Sequence, residues 1–167
     1  MHEASAAHHA HVIERLLEYG VSPTLRNSID GNTALHCVAS GATNQQQQQL
    51  NVGSIYANES AIVTSIGLMS LQANNANAGA IAVIDKLLAK APELLESRNH
   101  RGETPLLSFV AASRTSNAHH LQLIEHLLEC RADAGATLTD GTSALQLAVA
   151  AASLPVMARL LERGAEV

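Results

Sequence analysis

The chain aligns with itself, and that constrains its fold more than any other feature. Three hexapeptides share one pattern: Gly31-Asn32-Thr33-Ala34-Leu35-His36, Gly102-Glu103-Thr104-Pro105-Leu106-Leu107 and Gly141-Thr142-Ser143-Ala144-Leu145-Gln146. In each, the glycine admits a positive-φ turn and the Thr or Ser is placed to cap the next helix; Pro105 occupies a first helical turn, where proline is tolerated. A second pattern occurs four times, as Val12-Ile13-Glu14-Arg15-Leu16-Leu17, Val83-Ile84-Asp85-Lys86-Leu87-Leu88, Leu123-Ile124-Glu125-His126-Leu127-Leu128 and Val156-Met157-Ala158-Arg159-Leu160-Leu161. Its apolar pairs four residues apart make one helical stripe. Gly20 and Gly164 follow as helix stops, with Ala91 and Arg131 at the matching places of the middle copies. A unit of turn, short helix and second helix cannot bury its stripes alone, so successive units must stack.

This order of elements resembles the ankyrin repeat, whose unit is about 33 residues with a TPLHxA signature. The resemblance runs from Met1, where Met1-His2-Glu3-Ala4-Ser5 matches a first helix without its preceding turn, to Gly164-Ala165-Glu166-Val167, and is interrupted by one long insertion. It implies an all-α solenoid of stacked helix-turn-helix units with short β-turn fingers. One domain, 1–167, is then divided into repeat 1 (1–27), repeat 2 (28–98, with an insertion over 42–78), repeat 3 (99–137, with a short insertion over 113–118) and repeat 4 (138–167). The expected helix pairs are 1–7 with 10–19, 33–41 with 80–90, 104–112 with 119–130, and 143–151 with 154–163.

Spacing locates the departures from a regular array. Gly102 to Gly141 is 39 residues and Gly31 to Gly102 is 71, against about 33 for one unit. Both excesses fall between a first and a second helix, so the stacking helices are left whole. The longer insertion opens with a low-complexity stretch that contains Gln45 to Gln49 unbroken. It continues with Ile62, Val63, Ile66 and Met69 at helical spacing, which predicts an extra helix over Ser60 to Leu71.

Composition removes several functional classes. A net charge of −5, with only two lysines and singly scattered arginines, lacks the basic stripe that a phosphate backbone requires, so no nucleic acid is expected as a partner. No window is long and apolar enough for a membrane span. Two distant cysteines form neither a disulfide framework nor a CxxC pair and fit a reducing compartment, cytoplasmic or nuclear.

Nine histidines raise the question of a metal, because His8 and His11 lie one helical turn apart with His2 and His9 near. No Cys or carboxylate completes a shell there, and no metal or other cofactor is expected. The resemblance instead puts His2 and His36 at the TPLH histidine, and His9 and His120 at the start of a second helix, where imidazoles hydrogen-bond helix ends and neighbouring repeats. Cys37 follows His36 directly, but adjacent helical residues point about 100° apart, and a small core thiol is the better reading. Recognisable Ser/His/Asp sets, phosphate loops and paired acidic motifs are missing, so no enzyme is expected and no catalytic residue is assigned. Glu14/Glu18 and Glu125/Glu129 repeat at four-residue spacing on the second helices, ordinarily as a solvated outer face, with an acidic partner site as the sharper reading.

The resemblance implies a non-catalytic protein–protein interaction module: a scaffold, adaptor or subunit of a complex that binds another protein on the concave face of turns and first helices. At the matching positions stand Ile29, Asp30 and Asn32, then His100, Arg101 and Glu103, then Thr139, Asp140 and Thr142 on the turn tips. Ser40, Ala111 and Ala112 stand on the first helices. Mixed charge above small side chains suits a partner that inserts larger residues, with Arg101 as the leading anchor. Solvated turn residues are the plain alternative for each position. Two further readings are a regulatory or targeting ankyrin domain of a larger enzyme, and binding through the 42–78 insertion. The sparsely charged last helix pair is expected to leave apolar surface for another subunit, further repeats or a partner.

Overall fold

The computed structural model describes residues 1–39, 77–113 and 118–165. Ser40 and the extra helix expected over Ser60 to Leu71 lie outside the described residues. The helices are α1 (His2–Ala6), α2 (Ala10–Glu18), α3 (34–39), α4 (77–90), α5 (Pro105–Ala112), α6 (Ala118–Glu129), α7 (Ala144–Ala150) and α8 (Leu154–Glu162). A 3₁₀ turn, Pro92–Glu96, follows α4. They pair in order as short hairpins, α5 packing on α6 and α7 on α8. First helices stack on first helices (α5 on α7) and second on second (α6 on α8). No described helix is long and apolar enough to cross a membrane.

Residues 77–79 extend α4 ahead of the expected start at 80. The apolar stripe does not register that first turn, because it is held by a polar contact: the buried Asn77 amide donates to Gln122 Oε1 on α6. The ends of the second helices also differ. Arg131 takes the positive-φ stop at +72°, whereas Ala91 is extended at −146° and leads into the 3₁₀ turn. Pro92 explains the difference, since the residue before a proline is driven from helical to extended backbone.

Each finger is a tight turn whose glycine has positive φ, with isolated antiparallel bridges at Arg26–Thr33 and Thr137–Ser143. Gly102, at φ +75°, illustrates the requirement. A Cβ there would lie 2.4 Å from Thr139 Cγ2 on the next finger, so both conformation and crowding demand glycine.

Neighbouring fingers are tied by a directional ladder. The Arg26 guanidinium donates to the Arg98 carbonyl, and the Arg98 guanidinium donates to the Thr137 carbonyl at 2.6 Å. Arg26, Arg98 and Thr137 occupy the same place in successive units, immediately before the residue whose N–H closes the finger onto Asn32, Glu103 and Thr142. The His100 N–H adds a main-chain bond to the Asp30 carbonyl at 2.9 Å.

The core is a continuous aliphatic layer between the helix rows. Leu106, Leu107, Phe109 and Val110 on α5 are all fully buried, as befits a helix enclosed by neighbours on most of its circumference. Burial of a side chain of this size contributes about 1.5–3 kcal/mol. At the C-terminal pair Leu145, Val156 and Leu160 are buried, Leu147 and Met157 are partly covered, and Val149 and Leu161 are exposed together with Leu154. Arg159 spans the outer face there, pairing with Glu125 on α6 at 2.5 Å and Glu162 at 2.8 Å.

Candidate protein-binding cleft

The caps that start the first helices also build the cleft. Ser143 forms a reciprocal capping box with Gln146, and Thr104 Oγ1 accepts from Leu107 N at 3.4 Å. At α3 an imidazole fills the glutamine's role: Thr33 N–H donates to His36 Nδ1 at 3.3 Å, and the Thr33 hydroxyl bonds the same nitrogen at 2.8 Å. With Nδ1 accepting, the proton sits on Nε2, which donates to the Glu103 carbonyl of the next unit at 2.9 Å. One ring therefore caps its own helix and joins two repeats. Burial, the largest influence, lowers the His36 pKa, and the ring is neutral.

Asn99 organises the floor. Its Oδ1 accepts from the Arg101 and Glu103 N–H groups, which folds the finger. Its Nδ2 donates at 2.8 Å both to Asn32 Oδ1 of the preceding finger and to Glu103 Oε2. Glu103 Oε2 also receives Ser108 Oγ at 3.3 Å and pairs with Arg101 at 3.0 Å. Above this network Asn32, His36, Ala39, Arg101, Glu103, Ser108, Ala111 and Ala112 enclose a cleft of about 240 Å³. Alanines form its helical wall, and a carboxylate and a guanidinium form its finger wall.

Five of the residues expected at the partner face, Asn32, Arg101, Glu103, Ala111 and Ala112, meet in this cleft. Asn32 and Glu103 sit at its base, only 9% and 8% exposed, and not at the turn tips where the repeat alignment put them. The side chain of Asn99 draws both inward. Ile29, Asp30, His100, Thr139 and Asp140 are exposed finger residues and Thr142 is half-buried, all outside the cleft lining. In the last finger Leu138 stands where Asn27 and Asn99 stand earlier, and Asp140 Oδ1 instead accepts from Thr142 N at 2.9 Å. That bond holds the Asp140 carboxyl below its usual range. Asn99, Ser108 and Ala39 were missed from sequence. The Asn27/Asn99 recurrence in the first two fingers was the available signal for Asn99.

The remaining chemistry is sparse. Burial pushes the Cys37 thiol up to about 11, so it stays protonated and non-nucleophilic near neutral pH. His8 Nε2 is bonded to the Val38 carbonyl at 3.2 Å, which ties repeat 1 to repeat 2, and His2 Nε2 to the Leu25 carbonyl at 3.0 Å, which closes repeat 1 on itself. His9 and His11 are exposed, with ring centroids 5.9 Å apart. On the outer helices Asp85, His126 and Cys130 converge as potential metal ligands.

Residues 1–44 match the family model described as ankyrin repeats (many copies). No curated protein matches the chain. Repeats of this kind are generally protein-interaction modules and typically non-catalytic. The capped first helices, positive-φ fingers and stacked second helices continue the matched pattern through the described residues, so that the all-α stack as a whole is similar to an array of ankyrin repeats.

Proposed function

We propose that the chain is a non-catalytic scaffold, adaptor or complex subunit that holds a segment of a partner protein in the cleft between the second and third repeats. The observation that carries this reading is the cleft itself: about 240 Å³, walled by Ala39, Ala111 and Ala112 and edged by Arg101 and Glu103. Small side chains leave room for a larger one from the partner. The exposed guanidinium of Arg101 and the fixed, nearly buried carboxylate of Glu103 offer polar groups of opposite sign at its rim and base. Because Asn99 and Ser108 hold Glu103 in place, that carboxylate requires little ordering when the partner arrives. Ile29, 82% exposed on the preceding finger, offers further apolar contact area outside the cleft.

Site-specific photocrosslinking in cells tests this reading. A crosslinking residue at Ala112, in the cleft, is compared with one at Ala158, exposed on the outer helix α8. The expected result is a discrete crosslinked protein from position 112 that disappears with Ala111→Arg and is absent from position 158. Capture from 158 alone, or capture from 112 that survives Ala111→Arg, overturns it.

A further inference from the structure

We propose that Asp85, His126 and Cys130 form a binding site for a divalent cation of zinc's class, clasping the second and third repeats across their outer helices. Among the described residues this is the one group in which three such ligands converge, all ligand atoms lying within 4.8 Å of one another. His126 Nε2 is 2.7 Å from Asp85 Oδ1 and 4.0 Å from Cys130 Sγ. Bond lengths of about 2.0–2.3 Å in a tetrahedral shell set ligand-to-ligand edges of roughly 3.3–3.7 Å. The Asp–His edge therefore opens and the His–Cys edge closes by about half an ångström, adjustments that side-chain rotation supplies. Nitrogen, oxygen and sulfur donors in this number suit zinc, with a water in the fourth position.

The backbone places the ligands without strain. His126 and Cys130 are four residues apart at the end of α6, where Cys130 N still donates to the His126 carbonyl at 2.9 Å, so both side chains share one helical face. Asp85 comes from α4 of the preceding unit. A second observation concerns the other face of the ring: His126 Nδ1 lies 3.9 Å from Glu129 Oε2. In the metal-free chain Nε2 carries the ring proton and donates it to the Asp85 carboxylate at 2.7 Å; metal binding at Nε2 shifts that proton to Nδ1, on the side that faces the Glu129 carboxylate, the kind of outer support a ligating histidine usually has. Binding through sulfur converts the Cys130 thiol to thiolate and releases its proton to solvent.

The test titrates the full chain with Zn²⁺ and with Co²⁺ as the only added ligands. The expected result is one saturable equivalent, a thiolate-to-cobalt charge-transfer band that Cys130→Ser removes, and affinity lowered about tenfold or more by Asp85→Asn or His126→Gln. His9→Gln with His11→Gln leaves that affinity unchanged. Should a variant misfold, alkylation of Cys130 in the unmodified chain decides: Zn²⁺ slows it if the thiol is a ligand. No saturable uptake, uptake indifferent to the three substitutions, uptake lost with the His9/His11 pair (an adventitious ion only), or alkylation unchanged by Zn²⁺ overturns the proposal.

Discussion

Replacing His36 by Ala removes a ring that serves two repeats at once, and the structure gives the size of the loss. Glu103's carbonyl loses the Nε2 donor but keeps the Asn99 N–H at 3.0 Å, so that end loses only the net value of one hydrogen bond, about 1 kcal/mol. The other end fares worse. Thr33 is buried, and its hydroxyl and N–H both face Nδ1; leaving them without an acceptor costs about 1–3 kcal/mol. The sum is about 3 kcal/mol near pH 7.5, above the ordinary imidazole value of about 6.5. Acid narrows this gap. Because burial lowers the folded-state pKa of His36, the unfolded chain binds the proton more tightly. The stabilisation is therefore complete above the unfolded value and is lost as pH falls towards the folded one. The mechanism is local: a protonated Nδ1 carries its own N–H into the Thr33 N–H. Burial shifts His8 the same way, so wild type alone does not isolate the effect, but the difference between wild type and His36→Ala does. Urea unfolding of both proteins at pH 7.5 and pH 5.5 measures it. A gap that stays constant or widens on acidification refutes the neutral, doubly bonded ring.

Arg101→Ala, at an exposed end of an ion pair, shifts the melting temperature little (under about 1 kcal/mol) but weakens capture of the partner. Glu103→Ala, which strips Asn99 and Ser108 of their acceptor, costs about 1–3 kcal/mol in the same melt; equal effects of the two contradict the network. Gly141→Ala meets no neighbour and costs only left-handed strain of about 1–2 kcal/mol, whereas Gly102→Ala adds a clash with Thr139 and unfolds at clearly lower denaturant. Arg131→Gly relieves the positive φ at the end of α6 and raises stability by about 1 kcal/mol, read as a higher urea midpoint with unchanged slope.

The helix pairs and fingers were legible because each is set by local signals: a stripe of period 3.6, a cap and a glycine. The cleft was legible by half. Alignment with a repeat places a residue on a finger but not the direction in which its side chain is pulled, and Asn32 and Glu103 are drawn inward by an amide 67 and 4 residues away. The Asp85–His126 approach spans 41 residues. No periodicity within either helix encodes it, since it follows from how far one second helix is rotated against the next. The early start of α4 escaped for a related reason, being held by Asn77 and Gln122 and not by apolar spacing.

The guanidinium ladder gives the stack a grammar. Arg26 speaks to Arg98 and Arg98 to Thr137, always from one unit to its successor, and threonine has no guanidinium with which to continue. The fingers are thus not interchangeable parts: exchanging the second and third would place Thr137 where a donor is required and leave a carbonyl unanswered. A designer lengthening this array with a further unit would begin by writing an arginine at position 137, because coupling between neighbours is the quantity on which an array of weak units depends to melt as one body.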